Sequence, residues 1–116
     1  MFLNQIGHWI SYWRRYRSGV QRMADFLNDS PSFVTSIETR ESPKHQVILA
    51  FTHRQHSDLF LRMAQSQGFS NHLDLREKGR KIHVEGKNTG EAPFIMKALA
   101  KALKNHPRNK SQPIQR

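Results

Sequence analysis

Arg22-Met23-Ala24, then Ser36-Ile37-Glu38-Thr39-Arg40-Glu41, then His45-Gln46-Val47-Ile48-Leu49-Ala50, is echoed later in the same chain. The echo is Arg62-Met63-Ala64, then His72-Leu73-Asp74-Leu75-Arg76-Glu77, then Lys81-Ile82-His83-Val84-Glu85-Gly86. In each copy the apolar residues change from helical spacing to alternation, which reads as helix, short strand, turn, strand. A further apolar helix after the second copy completes the order α-β-β-α-β-β-α. The expected fold is α+β: a duplicated helix-hairpin unit whose hairpins join in one antiparallel four-stranded sheet backed by helices.

Around these stretches the boundaries follow local chemistry. The first helix covers about residues 3–28 by periodicity, with Ile6, Ile10, Trp13, Val20 and Leu27 at helical spacing. Glycine in a helix interior costs about 1 kcal/mol against alanine, so Ser18-Gly19 is expected to kink or split it. Asn28-Asp29-Ser30-Pro31 ends it, because proline cannot continue the hydrogen bonding. From Ser32 to Arg40 the residues alternate, with Phe33, Thr35, Ile37 and Thr39 opposed to Val34, Ser36, Glu38 and Arg40. Glu41-Ser42-Pro43-Lys44 reads as a turn, and Val47, Leu49 and Phe51 share one face of the returning strand. The next helix is expected to start at Ser57, with Leu59, Phe60 and Met63 inward, and to stop at Gly68. The second hairpin has Leu73, Leu75, Ile82 and Val84 on its apolar face and a tight turn at Lys78-Gly79. Thr89 can cap the last helix, with Glu91 and Pro93 in its first turn.

The chain has 116 residues, enough for one domain, and its hydrophobic content of 36% points to a polar tail or a large wetted face. Residues 1–19 read as a basic, aromatic helical extension, 20–105 as the domain, and 106–116 as a disordered basic tail. Lys+Arg number 19 against 9 Asp+Glu, a net charge of +10, which favours a polyanionic partner through counterion release. Cysteine is absent, which excludes disulfides and thiolate zinc sites and fits an intracellular protein, in the cytoplasm or in an organelle if the N-terminus is a transit segment. No run reaches the roughly 18 apolar residues of a spanning helix.

The polar side of the second hairpin carries His72, Asp74, Arg76, Lys81, His83 and Glu85, and the first hairpin adds Glu38, Arg40 and Gln46. A sheet face of this composition can hydrogen-bond base edges and phosphates. Arg40, Gln46, Arg76, Lys81 and His83 are therefore the candidate contacts from the sheet. Arg14, Arg15, Arg17, Lys101, Lys104, Arg108 and Lys110 are the candidate phosphate neutralisers. An ordinary solvated sheet face would show the same alternation. Trp9, Ile10, Trp13 and Tyr16 make a bulky stripe suited to a protein partner or a homodimer seam, and less well to a membrane surface. The seven histidines include His53 and His56 on one helical face with His45 nearby, yet no third ligand stands at a diagnostic zinc spacing. Neither a catalytic constellation nor a cofactor motif is visible.

Arg22-Met23-Ala24-Asp25-Phe26-Leu27-Asn28-Asp29-Ser30-Pro31-Ser32-Phe33 resembles the LAGLIDADG motif of homing endonucleases, a helix ending in acid-x-acid-Gly before a strand start. Met23, Ala24, Phe26, Leu27, Ser32 and Phe33 fit it. Lys44 to Phe51, and the helix, hairpin and helix that follow, extend the resemblance to about residues 20–105. It implies the α-β-β-α-β-β-α core and a DNA-binding sheet. The family's metal-holding acid at the helix foot matches Ser30, which cannot be a charged ligand, and Asp29 points away on helical geometry. The glycine that lets helices approach matches Asp25. The resemblance thus implies a core without cleavage, either keeping the DNA-binding sheet or adapted to another partner surface. The expected function is non-catalytic nucleic-acid binding without a cofactor, with duplex DNA ahead of RNA. The alternative is an adaptor docking a protein or membrane through the Trp9/Trp13 helix, and a metal-dependent nuclease is a third reading.

Overall fold

Alternation in the two hairpins and helical periodicity around them resolve into two layers. The computed structural model describes residues 2–41 and 44–110, with side chains described from Tyr16 onward. The elements are α1 (Phe2–Asp29), a 3-10 turn (Pro31–Phe33), β1 (Val34–Arg40), β2 (Gln46–Phe51), α2 (Arg54–Gln65), β3 (Leu73–Lys78), β4 (Lys81–Gly86) and α3 (Ala92–Ala102). The fold is α+β, in the order α-β-β-α-β-β-α. The sheet order is β1-β2-β4-β3, all antiparallel, so the hairpins meet through their second strands.

One face of the sheet supplies Ile37, Val47, Leu49, Phe51, Ile82 and Val84 to the core, all buried. From the helical layer α1 brings Val20, Met23, Ala24 and Leu27, α2 brings Phe60 and Ala64, and α3 brings Ile95, Met96 and Leu99. A buried Leu, Met or Phe side chain stabilises by roughly 1.5–3 kcal/mol, so this shared cluster dominates the fold's stability. Helix α1 packs against both α2 and α3.

Four local expectations are corrected. Helix α1 runs without interruption through Ser18-Gly19. The glycine is there for close approach: a Cβ at Gly19 would lie 2.6 Å from Cζ of Phe69, so the bare backbone makes room for that ring. In β1 both Val34 and Ile37 are buried, although strict alternation sets them on opposite faces. The register slips between Val34 and Ser36, where Thr35 is the extra residue of a bulge that returns Val34 to the core. Helix α2 starts at Arg54, one turn before Ser57. The Thr52 hydroxyl donates to the Phe33 carbonyl and bonds Nδ1 of His56, whose ring stacks on Phe33 at 3.8 Å, so the chain turns helical as soon as β2 ends. Ser57 is consequently buried inside the helix and donates to the Arg54 carbonyl, while Leu59 is 48% exposed.

The fourth correction concerns the C-terminal segment. Residues 106–110 are tied down, although their composition reads as tail; residues 111–116 lie outside the described residues. His106 is 2% exposed, and its Nε2 donates to the Leu27 carbonyl at the end of α1 while its Nδ1 accepts the Arg108 N–H. Ile37 donates to the Arg108 carbonyl and Lys110 donates to the Ile37 carbonyl, a short parallel bridge on the free edge of β1. One buried histidine thus anchors a polar segment that caps an otherwise open sheet edge.

Helix propensity alone makes Gly19→Ala stabilising by about 1 kcal/mol. Contact with Phe69 reverses the sign, and the expected result is a loss of about 1–3 kcal/mol in urea denaturation. An unchanged or raised midpoint contradicts the close approach. His106→Ala leaves the Leu27 carbonyl and the Arg108 N–H without their partner, and a loss of about 1–3 kcal/mol is expected in the same assay.

Candidate nucleic-acid interface

The sheet face turned away from the helices is a grid of side chains set by register. One row is Arg40, Gln46, Glu85 and Asp74; the middle row is Glu38, Ile48, His83 and Arg76; the third is Ser36, Ala50, Lys81 and Lys78. Ile48 at the centre is only 8% exposed even though no helix covers it. Glu38 and His83 stand opposite it on the two neighbouring strands.

The charges on this face are sorted. Arg40 donates to Glu38 at 3.2 Å, Arg76 donates to Asp74 at 2.9 Å, and Gln46 donates its amide to Glu85. Exposed pairs of this kind contribute about 0–1 kcal/mol to stability; their effect is to hold donors and acceptors in fixed positions. Lys78 and Lys81, by contrast, stand directly opposite each other across β3 and β4. Like charges so placed destabilise a sheet. The two-residue turn between them, Gly79-Arg80, has φ +62 at Gly79 and no positive φ at Arg80, the signature of a type II′ hairpin. Arg80 reaches back and donates to the Thr52 carbonyl. Two lysines therefore gather at one corner of the face, with Arg80 in the turn between them.

His83 reports the resulting field. Its pKa lies below the ordinary 6.5, first because partial burial penalises the charged ring, then because Lys78, Lys81 and Arg40 repel it; Glu85 opposes them only in part. Next to burial, the nearby cations therefore weigh more on the imidazole than Glu85 does.

Of the other residues singled out by sequence, Tyr16 leaves the partner stripe. It is buried, and its hydroxyl bonds Nε2 of His72 at 2.7 Å. Nδ1 of His72 bonds the Thr89 hydroxyl oxygen at 2.9 Å, with Glu91 at 3.7 Å, and that oxygen also accepts the Ala92 N–H at the start of α3. His72 accordingly serves the junction of α1 and α3 and not the polar face. The side chains of Trp9, Ile10, Trp13, Arg14 and Arg15 lie outside the described residues. Arg17 is exposed on α1, and Arg108 and Lys110 flank the capped edge of β1. At the helix foot matched by the family resemblance, Asn28 donates to the Ala102 carbonyl and Asp29 is exposed. Among the described residues no three His, Asp or Glu side chains converge on a metal-sized space, and no helix is long and apolar enough to cross a membrane.

Lys101 and Lys104 join Arg40 and Gln46 at a groove of about 410 Å³ between the turn end of the β1–β2 hairpin and α3. Lys97 and His45 also line it, and sequence reading missed both. Lys78, Arg80 and Ile48 were missed on the open face; the placement of Lys78 and Lys81 on either side of a two-residue turn was the available signal.

Comparison with known proteins finds no family model, no curated protein and no solved structure that matches the chain.

The depressed pKa of His83 has a consequence for stability. Between the folded value and 6.5 the unfolded chain binds more protons, so this contribution is complete above pH 6.5 and declines as the pH falls through that value towards the folded pKa. In His83→Gln the fall in urea midpoint between about pH 7.5 and about pH 5 is expected to be smaller than in the parent protein. An NMR titration that gave His83 a midpoint at or above 6.5 would contradict the lowered pKa.

Proposed function

We propose that this chain is a non-catalytic nucleic-acid-binding protein that receives duplex DNA on the open face of its sheet. The observation that carries the reading is the Lys78–Lys81 pair set directly opposite each other beside His83, which the sheet keeps together at a cost to its own stability.

The grid suits a duplex in its dimensions and its chemistry. A major groove about 12 Å wide admits a two-stranded ribbon, and the central strands β2 and β4 are such a ribbon. They carry Gln46, Ile48, His83 and Glu85: amide, methyl-bearing, imidazole and carboxylate groups that match adenine, thymine methyl, purine acceptor and cytosine amine edges respectively. The outer strands carry Arg40 on one side, Arg76 and Lys78 on the other, in reach of the two phosphate backbones that border the groove. Phenylalanine, tyrosine and tryptophan are missing from the three rows, so the face offers no stacking platform of the sort that splayed single-stranded bases use. That favours a duplex over single-stranded RNA at this surface. The order α-β-β-α-β-β-α and the serine at the helix foot also agree with the resemblance to a homing-endonuclease core that keeps a DNA-binding sheet without a metal-holding acid.

Electrophoretic shift assays with a short duplex at about 50 mM and about 200 mM salt test this, since a phosphate-binding surface loses affinity steeply over that range. Replacing both lysines of the corner (Lys78→Gln with Lys81→Gln) is expected to lower the slope of log K against log salt by about 0.9 for each phosphate that is no longer neutralised. Failure to bind any duplex at the lower salt, or binding indifferent to salt, would sink the proposal.

A further inference from the structure

The groove beside α3 has a chemistry unlike that of the open face. Lys97 and Lys101 fall at i and i+4 on one side of α3, and Lys104 follows just past the end of the helix, so three ammonium groups border the groove. Arg40 and Gln46 line the groove from the hairpin side, and Glu41 is the single acid among its lining residues. Below the cations the recess is apolar: Ala100 and Thr39 are half-buried, with Val47 and Met96 buried beneath them, and the half-buried His45 ring stands on the wall. The small side chain of Ala100, set among three lysines, is what leaves the recess open.

A duplex cannot use such a site fully. Its phosphates are outermost and its bases are stacked inside, so it would bring charged groups to an apolar floor where they lose hydration without compensation. An unpaired nucleotide fits both parts at once, with its flat base against Ala100 and His45 and its phosphates along the lysines. The groove is also continuous with the open face, because Arg40 and Gln46 belong both to the first row of the grid and to the groove lining. A strand leaving a duplex on the sheet would cross that row to reach the recess. We infer that the α3 groove is a binding site for an unpaired nucleotide, so that the protein recognises a duplex with a single-stranded tail. This rests on the duplex-binding reading of the open face.

The test compares a blunt duplex with the same duplex carrying a short oligothymidine overhang, using the full chain at one salt concentration. The expected result is at least about fivefold tighter binding of the tailed duplex, or about 1 kcal/mol. Ala100→Tyr fills the recess without altering charge, and it is expected to abolish that gain while leaving blunt-duplex affinity unchanged. Should Ala100→Tyr fail to fold by circular dichroism, Lys97→Gln with Lys101→Gln at exposed positions serves instead, and it too is expected to remove the gain. Equal affinity for blunt and tailed duplexes, or a gain that survives either variant in folded form, overturns the inference and leaves the duplex reading standing. A poly-glutamate peptide that erases the gain as effectively as free oligothymidine also overturns it, because the groove then responds to charge alone. Binding of neither duplex overturns both readings together.

Discussion

The packing of helix α1 against both α2 and α3 is the constraint on which the remainder depends. Its apolar stripe of Val20, Met23, Ala24 and Leu27 fills the middle of the core, and α2 and α3 take their places on either side of it. Two contacts fix its height and its end. Gly19 admits the Phe69 ring where a larger residue would lift the helix. The Leu27 carbonyl, left over at the helix terminus, is satisfied by buried His106. That second contact has a long reach, because His106 positions the segment that caps the β1 edge. Tyr16, His72 and Thr89 then link α1 to the start of α3 through a chain of hydrogen bonds. Among the described residues the helices lie on one side, which leaves the polar face of the sheet open and the groove beside α3 at its margin.

The layout of elements was legible because it rests on periodicity, which local sequence carries. The duplicated units, the order of helices and strands and the core faces of β2 and β4 all follow from residues within a few positions of one another. What was misread depends on partners distant in the chain. Gly19 looked like a weak point because its propensity is poor, and only Phe69, fifty residues on, explains it. His106 sits in a run of Pro, Asn and Lys with little to bury, so a tail was the natural reading; its partner Leu27 belongs to the opposite end of the domain. The bulge at Thr35 inverts the alternation for a single step, and α2 begins early because Thr52 and His56 bond each other.

The candidate surface was legible in part. Alternation identified Arg40, Gln46, Arg76, Lys81 and His83 as outward residues of the hairpins, and the structure brings them together on one face. It did not reveal that Arg40 and Arg76 are each paired with an acid two positions away on their own strand, or that Lys78 and Lys81 oppose each other. Cross-strand register decides those relations, and register depends on how the hairpins meet. The groove could not be read from sequence, since its walls come from β1, β2 and α3. Net charge announced an anionic partner; only the arrangement of charge separates a sorted polar grid from a lysine-rimmed recess.

The central claim is that the open sheet face is the surface that meets the duplex. Backbone amide NMR during titration with a short DNA duplex at low salt tests it most directly. The account predicts the largest shift changes at Gln46, Ile48, Lys81 and His83 and their row neighbours, with Leu59 and the outer side of α2 unmoved. Changes concentrated on α2, or none across the open face while the duplex binds, would contradict it.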